Sequence, residues 1–98
     1  MILFKRLLPS ASLPKYAKEG DSGMDVAAAE ETVIPARGYG KVRTGLAPII
    51  PAGYELQLRS RSGLQFNKGI EVAFGTIDNG YRGEICAALY NHTDAPSA

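Results

Sequence analysis

Short runs of apolar and β-branched residues, separated by glycine and proline, recur along the chain. Apolar residues at a helical spacing do not persist over any long window, so the pattern favours strands over helices. The run GMDVAAA would place Met24, Val26 and Ala28 on one face of a strand. The predicted strands, in chain order, are ILFKRLL, GMDVAAA, TVIP, GKVRTGLAPII, GYELQLRS, GIEVAF, GTID and YRGEICAALYN.

The number and spacing of these runs predict an all-β fold, an antiparallel jelly roll or β-barrel. Pro35, Pro48 and Pro51 fall at the edges of runs, where a missing N–H does least harm. A chain of 98 residues fits one domain, which we place over residues 1–98. A domain of this size buries only about 60 to 65% of its unfolded surface, so oligomerisation is expected to add burial.

One short helix is predicted from Ser62 to about Lys68. The Ser62 side chain is suited to cap its N-terminus, and Gly69 is suited to end it. The tail NHTDAPSA is polar and carries no strand or helix signal. We therefore expect His92, the only histidine, to be exposed to solvent.

The charge balance and the single cysteine exclude several classes of protein. A net charge of +1 argues against a dedicated nucleic-acid or membrane-surface binder, which usually shows clustered basic charge. Cys86 can form no disulfide within the chain, and we expect it to be a small buried residue in a strand. The N-terminal run MILFKRLLPS lacks the long apolar core of a signal peptide. These features predict a cytoplasmic protein without nucleic-acid or membrane partners.

The stretch GTIDNGYRGE places an acid beside a predicted turn. Asn79-Gly80 favours a type I′ turn, since both residues tolerate positive φ, and Asp78 and Tyr81 would then close it as a cross-strand pair. A carboxylate beside an aromatic ring could hold a ring-shaped ligand while Asp78 reaches a water. On this stretch alone, an ordinary exposed turn remains the better-supported alternative.

The stretch RSRSGLQFNKG resembles an anion site at the start of the predicted helix. Arg61 could clamp phosphate oxygens, Ser62 could add a hydrogen bond, and Gly63 would let a ligand approach the backbone. The alternative is a capped helix whose two arginines, Arg59 and Arg61, are solvated.

Asp25 lies between Met24 and Val26, inside an apolar alternation. A carboxylate there must be paired, hydrogen-bonded or near a cation. Mg²⁺ with its waters is one such cation, because hard cations prefer oxygen ligands. Without further context, a structural aspartate that accepts backbone or arginine hydrogen bonds is the better-supported alternative.

Taken together, three segments resemble the first three of the five motifs of the trimeric dUTPase family. SGMDVAA resembles the first motif, RSGL the second and GTIDNGYRGE the third, in the family's order. The resemblance covers essentially the whole chain. It implies a dUTPase-like β-clip fold and a homotrimer with active sites at the subunit interfaces. It also implies Mg²⁺-dependent hydrolysis of dUTP to dUMP and diphosphate, in a protein of cellular or viral origin.

The resemblance also implies a role for each matching residue. Asp78 resembles the general base that activates the attacking water, and Tyr81 the residue that stacks on deoxyribose and crowds out a ribose 2′-hydroxyl. Asp25 resembles the acid that supports the metal and phosphate region. The phosphate contacts would be Arg61, Ser62 and Gly63. The backbone around Val72, Gly75 and Ile77 would bind the uracil edge, and Val72 replaces an asparagine that some members offer there.

Segments like the fourth motif, a GDRIAQ-like strand, and the Gly-rich fifth motif do not occur in these residues. We therefore expect a domain that is C-terminally short relative to the family, with weak dUTP hydrolysis that a natural C-terminal continuation would largely restore. A non-catalytic dUTPase-like module that binds nucleotide for regulation is the alternative. A dCTP deaminase ranks lower, because that family uses a glutamate near the third motif and this chain keeps Asp78 and Tyr81 in dUTPase order.

Overall fold

The computed structural model describes residues 2–97, and of Phe74 it describes the backbone alone. Within these residues the chain forms short strands and one helix, and every strand pairing is antiparallel. The predicted all-β class with one short helix is thereby confirmed. The elements are β1 Leu3–Arg6, β2 Tyr39–Arg43, β3 Leu46–Ile49, β4 Leu56–Gln57, α1 Ser62–Lys68, β5 Ile70–Phe74, β6 Thr76–Ile77 and β7 Cys86–Asn91.

The strands form three small sheets, in the orders β1-β3, β2-β7-β5 and β4-β6. Strand β7 lies at the centre of the largest sheet, with Tyr90 opposite Tyr39 on one side and opposite Glu71 on the other. Gly45, at φ 69°, carries the chain from β2 into β3. A side chain at Gly45 would meet the Ala11 methyl at 2.9 Å, so a glycine is required at this crossing.

The core is small and lies between these sheets. Its buried centre is formed by Ala11, Leu46 and Ile85, and half-buried apolar side chains pack against it, namely Phe4, Leu56, Leu58 and Ile77. Several large apolar side chains remain at the surface, among them Val33 at 64% exposure and Phe66 at 85%. No helix within residues 2–97 has the length and apolar character needed to cross a bilayer.

The run GMDVAAA does not form the predicted strand. The backbone of Asp25 bridges that of Lys15 through N–H to O=C bonds of 2.8 and 3.3 Å, and the N–H of Ala29 donates to the carbonyl oxygen of Arg43 at 2.8 Å. Met24 and Val26 are both exposed, at 41% and 39%, so the apolar alternation covers no core here. Alanine is a poor strand former, and the three alanines that end the run give it little to pack against a neighbouring strand.

The polar tail is better ordered than its composition predicts. Asn91 is fully buried and its Nδ2 donates to the backbone oxygens of Ile34 and Ala95. Its Oδ1 accepts from the backbone N–H of Thr93. Beyond that turn, Ser97 exchanges two backbone hydrogen bonds with Ile34. One satisfied buried amide therefore fixes a segment that has no strand pattern of its own.

Two further single-residue predictions can be compared with the structure. His92 is exposed as predicted, but its ring packs edge-on against Tyr90 at 4.5 Å and its Nε2 contacts a carboxylate oxygen of Glu71. Cys86 begins β7 and is half-buried rather than fully buried. Desolvation raises the pKa of its thiol above the ordinary value, which keeps the sulfur protonated.

Candidate functional site

A cavity of about 820 Å³, here called the arginine cavity, opens where three segments of the chain meet. The segments are the loop before β2, the stretch from β4 to the start of α1, and the region around the end of β5. Two of the three segments predicted to carry chemistry face this opening, together with Gly75 and Thr76, the first two residues of the third segment. The cavity is lined by Ser22, Gly23, Met24, Asp25, Gln57, Leu58, Arg59, Ser60, Arg61, Val72, Ala73, Gly75 and Thr76.

One wall of the arginine cavity is held by hydrogen bonds that involve backbone groups. The N–H of Leu58 donates to the carbonyl oxygen of Gly75 at 2.8 Å. A Cβ on Gly75 would lie 2.1 Å from the Leu58 carbonyl oxygen, so only glycine fits. The Ser60 Oγ accepts the backbone N–H of Val72 at 2.9 Å. Two hydrogen bonds and one close backbone approach thus fix the spacing between the segments of this wall.

A β-bulge shapes the same wall. The pairing of β5 with β7 shifts register between Val72 and Phe74, which leaves Ala73 without a partner on β7. Bulges bend a strand and re-aim its residues, and they occur often beside binding sites. Ala73 is exposed and lines the cavity.

Helix α1 has the predicted bounds but a different N-cap. Arg61 is the N-cap residue, with extended backbone at φ −84° and ψ 132°, and no side chain caps the helix. Ser62 is already helical, so the prediction that it caps the helix is wrong. The first intrahelical bond runs from the N–H of Gln65 to Arg61, which leaves the N–H groups of Ser62, Gly63 and Leu64 without helical acceptors. Gly69 ends the helix at φ 69°, as predicted.

Arg61, Asp25 and Arg59 are the charged residues that line the cavity. Arg61 and Asp25 are exposed, and within residues 2–97 neither belongs to an ion pair. Arg59 is likewise free of ion pairs among the described residues. A guanidinium that no protein carboxylate engages is available to an anionic ligand.

The structural alternative for Asp25 was a carboxylate that accepts backbone or arginine hydrogen bonds. Of these, an ion pair with arginine does not occur among the described residues. Residues 2–97 contain no group of three histidine, cysteine or acidic side chains able to hold a metal together. A hard cation such as Mg²⁺ often keeps several waters and binds through one or two carboxylates plus phosphate oxygens. Asp25, in one cavity with Arg59 and Arg61, fits that donor set, whereas a cage built wholly of protein ligands does not.

The turn at Asp78 forms, but not with the predicted geometry. The N–H of Tyr81 donates to the carbonyl oxygen of Asp78 at 3.0 Å. Neither Asn79 nor Gly80 has the positive φ of a type I′ turn. Strand β6 pairs with β4 rather than β7, so Asp78 and Tyr81 are not a cross-strand pair. The loop joins two different sheets, and the twist matching that favours primed turns in hairpins does not apply to it.

Tyr81 is oriented by the loop that follows it. Its hydroxyl donates to the backbone oxygen of Glu84 at 2.6 Å. The ring lies over Gly83, where a Cβ would meet the phenolic oxygen at 2.7 Å. Gly83 therefore gives the ring room to lie against the backbone.

Glu84 anchors this loop to the core. Arg43 binds its carboxylate with two nitrogens, at 3.0 and 3.1 Å, and the N–H of Gly45 donates to it at 2.9 Å. The hydrogen bonds from Arg43 hold the pKa of Glu84 below its ordinary value, and the one from Gly45 adds to the effect. Sequence reasoning missed this pair, since 41 residues separate its members and only the pairing of β2 with β7 brings them together.

The structure gathers some predicted site residues and leaves others apart. Asp25, Arg61, Val72 and Gly75 line the arginine cavity, whereas Asp78 and Tyr81 lie exposed on the neighbouring loop and do not line it. Three other predicted residues are also outside the lining: Ser62 and Gly63, on the first turn of α1, and Ile77, whose side chain packs on the core.

Comparisons with known proteins give one consistent family. The dUTPase family model matches residues 9–96. The deoxyuridine 5'-triphosphate nucleotidohydrolase of Helicobacter pylori strain J99 is 46% identical over 95 residues, covering 95% of this chain and 66% of that protein. The protein of the same name from Paramecium bursaria Chlorella virus 1 is 42% identical, with the same coverage. The chain thus spans about two thirds of the length of these relatives.

Solved structures agree with the sequence comparison. The fold matches the dUTPase of Staphylococcus bacteriophage 80alpha with a TM-score of 0.87 at 32% identity, over 96% of this chain and 61% of that one. A variant dUTPase from phage phi11 of S. aureus, described with a structural Mg(II) ion, matches with a TM-score of 0.88 at 29% identity, over 95% and 61%. The chain belongs to the dUTPase family.

Proposed function

We propose that this chain is a dUTP diphosphatase that hydrolyses dUTP to dUMP and diphosphate, with Asp78 as general base and Mg²⁺ as cofactor. The observation that carries the proposal is the arginine cavity, which places Arg61 and Asp25 at one opening in a member of the dUTPase family. The H. pylori relative bears the name of this activity.

The phosphate end of the substrate would lie at Arg61. Its guanidinium can bind two phosphate oxygens at once and offsets part of the triphosphate charge. The free N–H groups at the start of α1 also favour an anionic ligand. Mg²⁺ held near Asp25 would supply further positive charge to the phosphates.

The base end would lie along the wall formed by Val72 and Gly75. At Gly75 the Leu58 carbonyl oxygen fills the space that a side chain would take, so this glycine fixes the shape of the wall. The N–H of Val72 is already donated to Ser60, so this group is not free to bind the uracil edge. Contacts to the uracil edge would then come from other backbone groups between Val72 and Ile77, and not from the Val72 N–H.

Asp78 would take a proton from the attacking water as the water oxygen bonds to the α-phosphorus. The bond between the α-phosphorus and the bridging oxygen breaks, and diphosphate leaves with that oxygen. Asp78 is exposed to solvent and can therefore reach a water, as this role requires. Tyr81, three residues on, would pack on the sugar and exclude a 2′-hydroxyl.

The separation of Asp78 and Tyr81 from the arginine cavity supports a site completed between copies of the chain. In that arrangement the Asp78 loop of one copy faces the cavity of the next. The small core and the exposed Val33 and Phe66 favour such an assembly, because burial between copies would remove apolar surface from water. We propose a homotrimer on this basis and on family membership.

The same separation also favours one second candidate, a nucleotide-binding regulatory module without turnover. The bacteriophage 80alpha dUTPase, at about 30% identity, is described as controlling the transfer of virulence genes by a G protein-like mechanism. Nucleotide binding without diphosphate release would support this candidate over the enzyme.

The proposal is tested by diphosphate release from dUTP, with ammonia release measured in parallel to detect deamination. The change Asp78→Asn should lower the rate by ~100-fold or more, the usual contribution of a general base. Asp94→Asn is the matched control, because Asp94 is an exposed aspartate paired with Arg37 in the tail. Retention of activity by Asp78→Asn would refute the assignment of the base.

A further inference from the structure

The tip of the Asp78 turn is open to solvent at Asn79 and Gly80. No heavy atom lies within 4 Å of the position that a Cβ on Gly80 would take. Among the described residues, the Gly80 N–H has no hydrogen-bond acceptor and the Asn79 side-chain amide has no partner. The amide carbon of Asn79 and the nitrogen of Gly80 are therefore both unblocked.

Among residues 2–97, the group that hydrogen-bonds to this peptide is a cation. The Arg82 Nη1 donates to the carbonyl oxygen of Asn79 at 2.6 Å and to that of Tyr81 at 3.2 Å. Charge-assisted bonds of this kind are short and strong. A cation on this oxygen withdraws electrons from the Asn79-Gly80 peptide, which stabilises the anion formed when the Gly80 nitrogen loses its proton.

We propose that Asn79 is a site of spontaneous deamidation, promoted by Arg82. Hydroxide removes the Gly80 N–H proton, and the nitrogen attacks the side-chain amide carbon of Asn79. A new C–N bond closes a succinimide ring, the bond to the amide nitrogen breaks, and this nitrogen leaves as ammonia after taking a proton from water. Water then adds to either ring carbonyl and opens the ring to aspartate or isoaspartate. Asparagine is among the thermolabile residues, and the step needs no oxidant or cofactor.

The modification would change the loop beside Asp78. Either product adds a carboxylate next to Asp78, which raises the cost of ionising the neighbouring acid. Isoaspartate also inserts a methylene into the backbone between Asp78 and Tyr81. If Asp78 and Tyr81 act as proposed above, the modified chain should lose most of its hydrolytic activity, and this consequence alone rests on the proposed function.

The chain carries its own internal controls. Its other asparagines are Asn67, within helix α1, and Asn91, which is fully buried and hydrogen-bonded. Neither is followed by glycine, and helical or buried backbone resists ring closure. We expect Asn79 to deamidate well before Asn67 or Asn91.

The test is peptide mapping by mass spectrometry of the full chain incubated at mildly alkaline pH, which needs no turnover. The expected result is a one-dalton gain and an isoaspartate signal at residue 79, several-fold slower in Arg82→Gln. Gly80→Ala should suppress the gain further, and it should fold because its Cβ meets nothing and Gly80 does not have positive φ. A one-dalton gain that appears first at Asn67 or Asn91, or no mass gain at Asn79, would overturn the proposal. Equal rates in wild type and Arg82→Gln would overturn the role of Arg82.

Discussion

Arg61 and Asp25 are the residues at which the sequence and the structure agree most closely. Asp25 was predicted because a carboxylate within an apolar alternation needs a partner, and Arg61 because a guanidinium at the start of a helix can bind phosphate. Both residues line one cavity, and their roles stay predictions. The pairing of Arg43 with Glu84 could not be predicted in the same way, because it depends on which strands become neighbours. Ser62 was predicted to cap α1, but the extended backbone falls one residue earlier, at Arg61.

Replacing Arg61 with alanine should weaken binding of a triphosphate much more than binding of deoxyuridine. Loss of a charge-assisted hydrogen bond costs about 1.5 to 3 kcal/mol, which is ~10-fold or more in affinity. Calorimetry with both ligands measures the difference, and Arg37→Ala serves as control, because Arg37 pairs with Asp94 outside the cavity. Equal losses for the two ligands would show that Arg61 does not bind phosphate.

Replacing Tyr81 with alanine should narrow the preference for dUTP over UTP, because the ring that would exclude a 2′-hydroxyl is gone. Tyr81→Phe keeps the ring but loses the bond to the Glu84 backbone oxygen, so it should fall between alanine and wild type. The ratio of kcat/KM for the two nucleotides is the measurement. An unchanged ratio in the alanine variant would show that Tyr81 does not determine the preference for deoxyribose.

At the scale of elements, the sequence predicted most of the strand-forming segments and the bounds of α1, but GMDVAAA and TVIP form only isolated bridges, at Asp25 and Ile34. The sequence did not predict how strands pair, because short runs of alternating residues fit several partners. GTID pairs with β4 instead of forming a hairpin with β7, and this one difference changes the turn at Asn79-Gly80. GMDVAAA does not form a strand. Its alternating apolar residues are exposed, and its one β-bridge joins Asp25 to Lys15.

Glu84 should link the stability of the Asp78 loop to pH. Its pKa is lowered in the folded chain, so its contribution to the free energy of unfolding is fully present above the unfolded pKa of about 4.3 and is lost as pH falls through the folded value. Glu84→Gln should therefore be less stable than wild type near neutral pH, with a gap that closes on acidification.

Urea unfolding at a series of pH values measures this gap. Asp94→Asn is the contrast, because Asp94 also has a lowered pKa but its side chain is 87% exposed, against 17% for Glu84. Exposed pairs contribute little, so that variant should track wild type throughout. A Glu84→Gln gap that stays constant down to acid pH would contradict the linkage.

The cavity wall should be intolerant of a methyl group at one glycine and tolerant of it at another. Gly75→Ala would force a Cβ against the Leu58 carbonyl and should cost about 1 to 3 kcal/mol, as overpacking does. Gly23 lines the same cavity, and a Cβ there meets nothing within 4 Å, so Gly23→Ala should be near neutral. Thermal unfolding compares the two, and equal stabilities would mean that the close approach at Gly75 is not a constraint.

At the scale of the whole molecule, the chain has a small core and much exposed apolar surface. A second, largely apolar cavity of about 470 Å³ adjoins the arginine cavity and is lined in part by Phe4, Leu46 and Leu89. Length alone predicted that burial would be limited, and the exposed Val33 and Phe66 bear this out. The contacts between copies depend on surfaces that no local pattern specifies, so the homotrimer stays a prediction.

The central claim is that dUTP is hydrolysed at sites shared between copies, with Asp78 from one chain and Arg61 from the next. The direct test mixes equal amounts of Asp78→Asn and Arg61→Ala chains, unfolds and refolds them together, and measures diphosphate release at a dUTP concentration too low for the Arg61→Ala chain alone to turn over. Sedimentation of the mixture verifies that trimers form. Random mixing in a cyclic trimer gives about a quarter of the sites both native residues, so about a quarter of wild-type activity should return. No recovery in mixed trimers would contradict the shared site.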